Sequence, residues 1–309
     1  MKTLTIYSGS FNEAENIQEF ITRIRAVMES LPQYNYEILI IDNASNDGTQ
    51  EMLRNFASQD ARIKVILNVR NFGPVRSGYH GLLQARGDAV IAMASDLQDP
   101  PELIPAFVAK WEEGYKLALA VKNESEESAI LFWIRKMYYE LVTRLSNISL
   151  LKNATGFGLY DQEVIEQFRR LDDPYPYVRG IISDFGYPIA EIPFVQPRRK
   201  RGLTKNNFYS LYDMAMLGIT SFSKVPLRLA TMIGFGMSLL SLIVAVGYLA
   251  YKFMFWYNFP VGQAPIVIGL FLFSSVQLFF IGMLGEYIGA IHTQILRRPL
   301  VIERERINF

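Results

Sequence analysis

The chain has 309 residues, a formal net charge of +1 and no cysteine. The length suits one or two domains, and the balanced charge gives no global argument for nucleic acid. Without cysteine there can be no disulfide, thiolate nucleophile or Cys metal site, which fits a reducing compartment. The first residues, Met1 to Tyr7, lack the long apolar core and small-residue cleavage site of a signal peptide. Leu4–Tyr7 reads as a strand. Glu13–Leu31 reads as a helix, with Ile17, Phe20, Ile21, Ile24, Val27 and Met28 at helical spacing. Ile38–Ile41 is a second strand core, with a helix from about Thr49. Val65–Leu67, a helix near Val75–Ala85 and the apolar run Ala89–Ala94 continue the alternation. Repeated strand–helix units imply a mainly parallel sheet with helices on both faces. Strands covered on both faces are continuously apolar, as these are.

Polar clusters follow these strands. Asn12-Glu13-Ala14-Glu15-Asn16 comes after the first, and Asp42-Asn43-Ala44-Ser45-Asn46-Asp47-Gly48-Thr49 after the second. Arg70-Asn71-Phe72-Gly73 and Asp96-Leu97-Gln98-Asp99-Pro100-Pro101-Glu102 follow the third and fourth. Each alone is open to a reading as a helix cap or Asx turn. Together they place polar groups on the carboxyl edge of an open α/β sheet, where ligands bind. The Asp96 turn leaves a buried strand, where an unpaired carboxylate is costly. Pro100 and Pro101 then stop sheet pairing and favour a helix start.

The pattern changes from Ile130. Ile130, Ile134, Met137, Leu141, Leu145 and Ile148 make one stripe of an amphipathic helix over about 128–149, which suits packing on the domain or lying on a membrane. A second stripe, Phe208, Leu211, Ala215, Ile219 and Phe222, lies in a juxtamembrane interfacial segment spanning 201–227. Leu229–Tyr251 is 23 residues and Phe253–Gly285 is 33 residues without Asp, Glu, Lys or Arg, whereas a membrane span needs roughly 20 apolar residues. Two transmembrane helices are expected at about 229–251 and 266–288 within 228–291. Arg198, Arg199, Lys200, Arg201, Lys205, Lys224 and Arg228 precede the hairpin, and Arg297 and Arg298 follow it. The positive-inside rule makes both ends cytosolic: an integral protein of the inner or plasma membrane is expected, with a large N-terminal domain at 1–200 and a cytosolic tail at 292–309. Gly282, Gly285 and Gly289 suit helix packing between copies, hence a homo-oligomer.

The ordered set Asn12-Glu13-x-x-Asn16, Asp42-x-x-Ser45-x-Asp47-Gly48-Thr49, Arg70-Asn71-x-Gly73 and Asp96-x-Gln98-x-Pro100-Pro101-Glu102 resembles the family 2 glycosyltransferases of the GT-A fold. The chain looks most like the polyisoprenyl-phosphate members, the bactoprenol glucosyltransferases of the GtrB type and the dolichol-phosphate mannose synthases. Thr155–Asp161, the Arg201-Gly202-x-Thr204-Lys205 segment and the C-terminal spans extend the likeness over nearly the whole chain.

The resemblance implies an enzyme with a nucleotide-sugar donor and a polyprenyl phosphate acceptor. Asn12, Glu13, Asp42, Asp47, Arg70 and Asn71 would bind the donor. Asp96, Gln98 and Asp99 would be catalytic, with Asp96 and Gln98 holding Mg²⁺ or Mn²⁺, which take hard oxygen ligands. Arg198, Arg201, Thr204 and Lys205 would meet the acceptor phosphate. The reaction expected is inverting transfer of glucose from UDP-glucose to undecaprenyl or another polyprenyl phosphate on the cytosolic face. Alternatives are GDP-mannose or another UDP-sugar as donor, or a non-catalytic nucleotide-binding membrane scaffold. Two departures from the family pattern stand out: Ala94 occupies the first position of the usual Asp-x-Asp, and Asn43 follows Asp42 where a second Asp is frequent.

Overall fold

A computed structural model describes residues 1–122, 154–171, 173–197, 216–217, 219–221, 223–255, 263–296 and 298–309. The amphipathic stretch at 128–149, most of the 201–227 segment, and Arg198, Arg201, Thr204 and Lys205 lie outside the described residues.

Four strand–helix units open the chain: β1 (Thr3–Ser10), α1 (Ile17–Glu29), β2 (Asn35–Asp42), α2 (Thr49–Gln59), β3 (Ile63–Asn68), α3 (Pro74–Gln84), β4 (Ala89–Ala92) and α4 (Ile104–Glu112). Side chains alternate across the sheet. Leu4, Ile6, Ile38, Ile40, Val65 and Ile91 therefore share one core with α1, α2 and α4. Tyr7, Leu39, Ile41, Ile66 and Val90 enter a second core on the opposite face. Double coverage explains the unbroken apolar runs. Helix α1 buries Ile17, Phe20, Ile21, Ile24 and Met28, each contributing about 1.5–3 kcal/mol. That outweighs propensity differences below about 1 kcal/mol, so packing fixes the helix. It begins at Ile17 rather than Glu13, because Asn12 holds φ at 57° and turns the chain first.

The second half completes the domain with β5 (Leu117–Lys122), β6 (Ala154–Asp161), α5 (Gln162–Arg170), α6 (Val178–Phe185) and β7 (Ile189–Phe194). Helices α5 and α6 supply Val164, Ile165, Phe168, Ile181 and Ile182 to the second core. Among the described residues the sheet has eight strands in the order β7-β5-β6-β4-β1-β2-β3-β8, the last of them Glu303–Ile307. Pairs β1–β2, β1–β4, β2–β3 and β5–β7 are parallel. Strand β6 runs antiparallel to β4 and β5, and β8 antiparallel to β3. The sheet is thus mixed and mainly parallel, with helices packed on both faces.

Two long helices follow, α7 (Val225–Met254) and α8 (Gln263–Ile295). Within them Val225–Val244 and Leu272–Ile295 are long and apolar enough to cross a membrane. The stretch expected as a tail then returns to the domain as β8 (Glu303–Ile307) on the free edge of β3. Its residues, Glu-Arg-Glu-Arg-Ile, carry no apolar alternation because an outer edge strand is largely solvated. Arg54 pairs with Glu305 at 3.0 Å, His80 Nε2 lies 2.6 Å from Glu303, and Asn308 Nδ2 donates to the carbonyls of Ala57 and Ile63.

Candidate active site

Strand register sets the edge. Ser10 lies opposite Asp42, Asp42 opposite Leu67, and Ala92 opposite Tyr7. The loops after β1, β2, β3 and β4 thus emerge side by side. Strand β6 runs the other way with Gly158 opposite Ala92, so its first residues overhang the same edge. Strands β5 and β7 end there too, with Lys122 opposite Phe194.

Asp42 ends β2 with no exposed surface. One oxygen accepts from Ser10 Oγ and Ser45 Oγ, the other from Ser45 N and Gln50 Nε2. Four donors fill the roughly four lone-pair sites of a carboxylate. In this geometry Asp42 organises the loop rather than offering a free acceptor to a base. Asp47 accepts from Thr49 N and Thr49 Oγ1 through one oxygen and from Ala14 N, at 3.1 Å, through the other. Burial pushes its pKa up, but the bonds from Thr49 and Ala14 outweigh it and hold the carboxyl below the usual range. Asn12 clamps the same loop: its N donates to Ser45 Oγ at 2.8 Å and its Oδ1 accepts from Asn46 N at 2.9 Å. Glu13 N donates to Thr49 Oγ1, and Glu13 Oε2 accepts from Asn16 Nδ2. The loops after β1 and β2 are therefore one hydrogen-bonded unit.

Asn71 joins from the β3 side, its Oδ1 accepting from Asn43 Nδ2 at 2.8 Å and Gly73 N at 2.8 Å. Asn43 Oδ1 in turn accepts from Phe72 N and Asn68 Nδ2. Gly73, at φ 84°, gives the turn into α3 a conformation that side-chain-bearing residues resist. Arg70 points elsewhere. Its guanidinium stacks on Phe72 at 4.0 Å and donates to Asn71 O at 3.0 Å.

The β4 loop forms the opposite corner. Asp96 Oδ1 accepts from Gln98 N at 3.1 Å across Leu97, which adopts φ 64°. Asp99 is 7% exposed and accepts from Ala94 N at 2.8 Å. Burial pushes its pKa up to about 6; the charge of Asp96 adds to this, while the Ala94 bond and Lys122 oppose it. Gln98 Nε2 donates to Pro197 O at 3.4 Å, bringing the end of the β7 segment to this corner. Pro101–Leu103 then makes a single tight helical turn into α4, as the two prolines suggested.

No group of three or more His, Asp or Glu suited to a metal exists among the described residues. Asp96 and Gln98 nonetheless fit a hard divalent ion of the Mg²⁺ type, which binds through one or two carboxylates plus substrate phosphates. The loop conformation supports a working site. Asn12, Ala44 and Leu97 are non-glycine residues at φ 57°, 62° and 64°, one in each of three neighbouring loops, and backbone strain of this kind concentrates at functional sites. Ser10, Gln50 and Asn68 were not singled out in the sequence, and Asn43 only as a departure from the family pattern. Each is an ordinary polar residue whose partner lies on a different element and meets it only in the fold.

The profile of glycosyl transferase family 2 matches residues 6–169. The chain belongs to this family. It is 33% identical over 294 residues to a prophage-derived bactoprenol glucosyl transferase of Shigella flexneri, covering 94% of each chain. It is 32% identical over 300 residues to a glycosyltransferase of Synechocystis sp., covering 97% of this chain and 94% of that one. It is 33% identical over 299 residues to the glycosyltransferase YkcC of Bacillus subtilis, covering 94% of this chain and 90% of that one. The domain described above is thus a family 2 glycosyltransferase domain, and the protein is a glycosyltransferase.

Proposed function

We propose that this enzyme moves glucose from UDP-glucose to undecaprenyl or another polyprenyl phosphate, with inversion, at the cytosolic membrane face. The observation that carries the reading is the contact between Gln98 and Pro197. It sets the Asp96 corner beside the residue that precedes Arg198-Arg199-Lys200-Arg201. A cationic segment leading toward two apolar helices is where a lipid-borne phosphate would meet a sugar donor. Relatives named bactoprenol glucosyl transferase, matching over nearly the whole chain, support a polyprenyl acceptor.

The chemistry asks little proton transfer of the protein. The acceptor monophosphate has a second pKa of about 6, so its oxygen is already ionised near neutral pH. That oxygen bonds to the anomeric carbon while the bond from that carbon to the donor diphosphate breaks, and the electron pair leaves with the nucleoside diphosphate. Asp96 and Gln98 would hold Mg²⁺ or Mn²⁺, which would neutralise the charge growing on the leaving diphosphate. Asn12, Glu13, Asp47 and Asn71 shape the donor pocket through the loop unit that Asp42 holds from beneath. Arg198, Arg201, Thr204 and Lys205 orient the acceptor phosphate, a task of electrostatic positioning. The apolar helices make the protein integral to the membrane, with the catalytic domain and both termini cytosolic by the charge asymmetry around the hairpin.

Radiolabelled UDP- and GDP-sugars, each incubated with membranes carrying the protein and polyprenyl phosphate, test the reading. Label from UDP-glucose in the lipid phase is expected. Label from GDP-mannose or another UDP-sugar alone would move the donor assignment. Nucleotide binding without turnover of any donor would favour a scaffold.

A further inference from the structure

A cationic cluster lies apart from the Asp96 corner, where the chain leaves the second apolar helix. Helix α8 ends at Ile295, and Arg298 follows three residues later. Arg76 Nη2, on the first turn of α3, donates to Pro299 O at 2.6 Å. Its guanidinium carbon sits 5.3 Å from the Phe72 ring centre, and that of Arg70 sits 4.0 Å from the same ring. Arg304, on the returning strand, donates to Val69 O at 3.3 Å. Among the described residues, none of Arg70, Arg76, Arg298 and Arg304 is ion-paired with a carboxylate. Burial first, then the charges of Arg70 and Arg298, lowers the pKa of Arg76, which therefore sits within reach of both other guanidiniums.

Uncompensated like charges held together by a hydrogen bond and a shared aromatic face are costly unless an anion joins them. The guanidinium fork matches phosphate oxygens. The position decides which phosphate. Three residues of extended chain reach at most about 11 Å, so Arg298 stays close to the end of a helix whose Leu272–Ile295 window is apolar enough to span. That is the depth of lipid headgroups.

We propose that Arg70 and Arg76, gathered over Phe72, and Arg298, beside the Pro299 carbonyl that Arg76 holds, bind the phosphodiester headgroup of an anionic membrane lipid. The site holds the α3 end of the sheet's carboxyl edge against the bilayer, and the strap from Pro299 to Ile307 fixes it to the helix exit. The proposal rests on the hairpin reading above and assigns Arg70 to lipid rather than donor.

The test uses the full chain in nanodiscs of phosphatidylcholine alone or with phosphatidylglycerol. Amide hydrogen exchange is followed in residues 69–80. About 1 kcal/mol per basic residue at an anionic surface is about fivefold, so exchange should slow about fivefold or more with phosphatidylglycerol, and high salt should reverse this. An Arg70→Gln/Arg298→Gln variant, which keeps the Arg76–Pro299 bond, should show less than twofold slowing. The matching Lys variant should retain most of it, and unchanged exchange in β1 should report an intact fold. Equal exchange in both discs, or an unaltered response in the Gln variant, overturns the proposal. So does slowing produced in phosphatidylcholine discs by UDP but not by phosphatidylglycerol, which would return the cluster to the donor. Failure of the chain to remain with the disc would instead overturn the hairpin reading, and the proposal with it.

Discussion

Replacing Asp99 with Asn should stabilise the enzyme near neutral pH while damaging its site. Asp99 is buried and its carboxyl is pushed from 3.8 to about 6, mainly by desolvation. Because the folded value lies above the unfolded one, the contribution of Asp99 to stability is fully present below about pH 3.8. It is lost as pH rises through about 6. At about 1.4 kcal/mol per pH unit, the gap between 3.8 and about 6 amounts to about 3 kcal/mol above pH 7. Asn keeps an oxygen for Ala94 N and never ionises. With about 2–4 °C per kcal/mol for a domain of this size, the variant should melt about 6–12 °C higher at pH 7.5. The assay is thermal unfolding in detergent with EDTA, from pH 4 to 8. The two proteins should coincide near pH 4 and separate through pH 6. A difference independent of pH, or a variant less stable at pH 7.5 than the parent, would refute the burial argument.

Other consequences concern packing. Gly81→Ala should cost about 1–3 kcal/mol by overpacking, since its Cβ would lie 2.5 Å from the Tyr7 ring and 2.8 Å from Ile41; denaturant midpoints would show it. Removing residues 299–309 should uncover the edge of β3 and the site of the buried Val301. Exposed strand edges pair with other chains, so light scattering should reveal self-association of the truncated protein. Asp42→Ala should leave Ser10, Ser45 and Gln50 without their shared acceptor and cost about 1–3 kcal/mol for each donor left unsatisfied in the interior. Urea titration measures the loss, and Asp42→Asn should recover part of it.

The first four strands are legible because burial on both faces leaves a continuous apolar run, as in Ile38–Ile41. Their loops are legible because Asp, Asn and Pro cluster after each run. The strap was not: Glu303–Ile307 becomes a strand through the vacant edge of β3, which no local pattern encodes. The start of α1 was misplaced by four residues because Glu13 and Ala14 are good helix formers, yet Asn12 and Ala14 bond to the β2 loop instead. The same contact order hid Ser10 and Gln50, which acquire meaning only when β1 and α2 meet at Asp42. Arg70 was grouped with the donor residues by its place after β3, and its guanidinium lies over Phe72. Arg198 to Lys205 lie outside the described residues, so their charge and position in the chain are all that speaks for them.

The central claim is sugar transfer at the Asp96 corner onto a lipid phosphate. The direct measurement is lipid-phase label from radioactive UDP-glucose, for wild type and Asp96→Asn in nanodiscs, with and without undecaprenyl phosphate and Mg²⁺ or Mn²⁺. Product is expected only with wild type, acceptor and metal together, with a loss of about 10² or more in Asp96→Asn, as for other groups that stabilise developing charge. Product that persists at the wild-type rate in Asp96→Asn, or without the lipid phosphate, would contradict it.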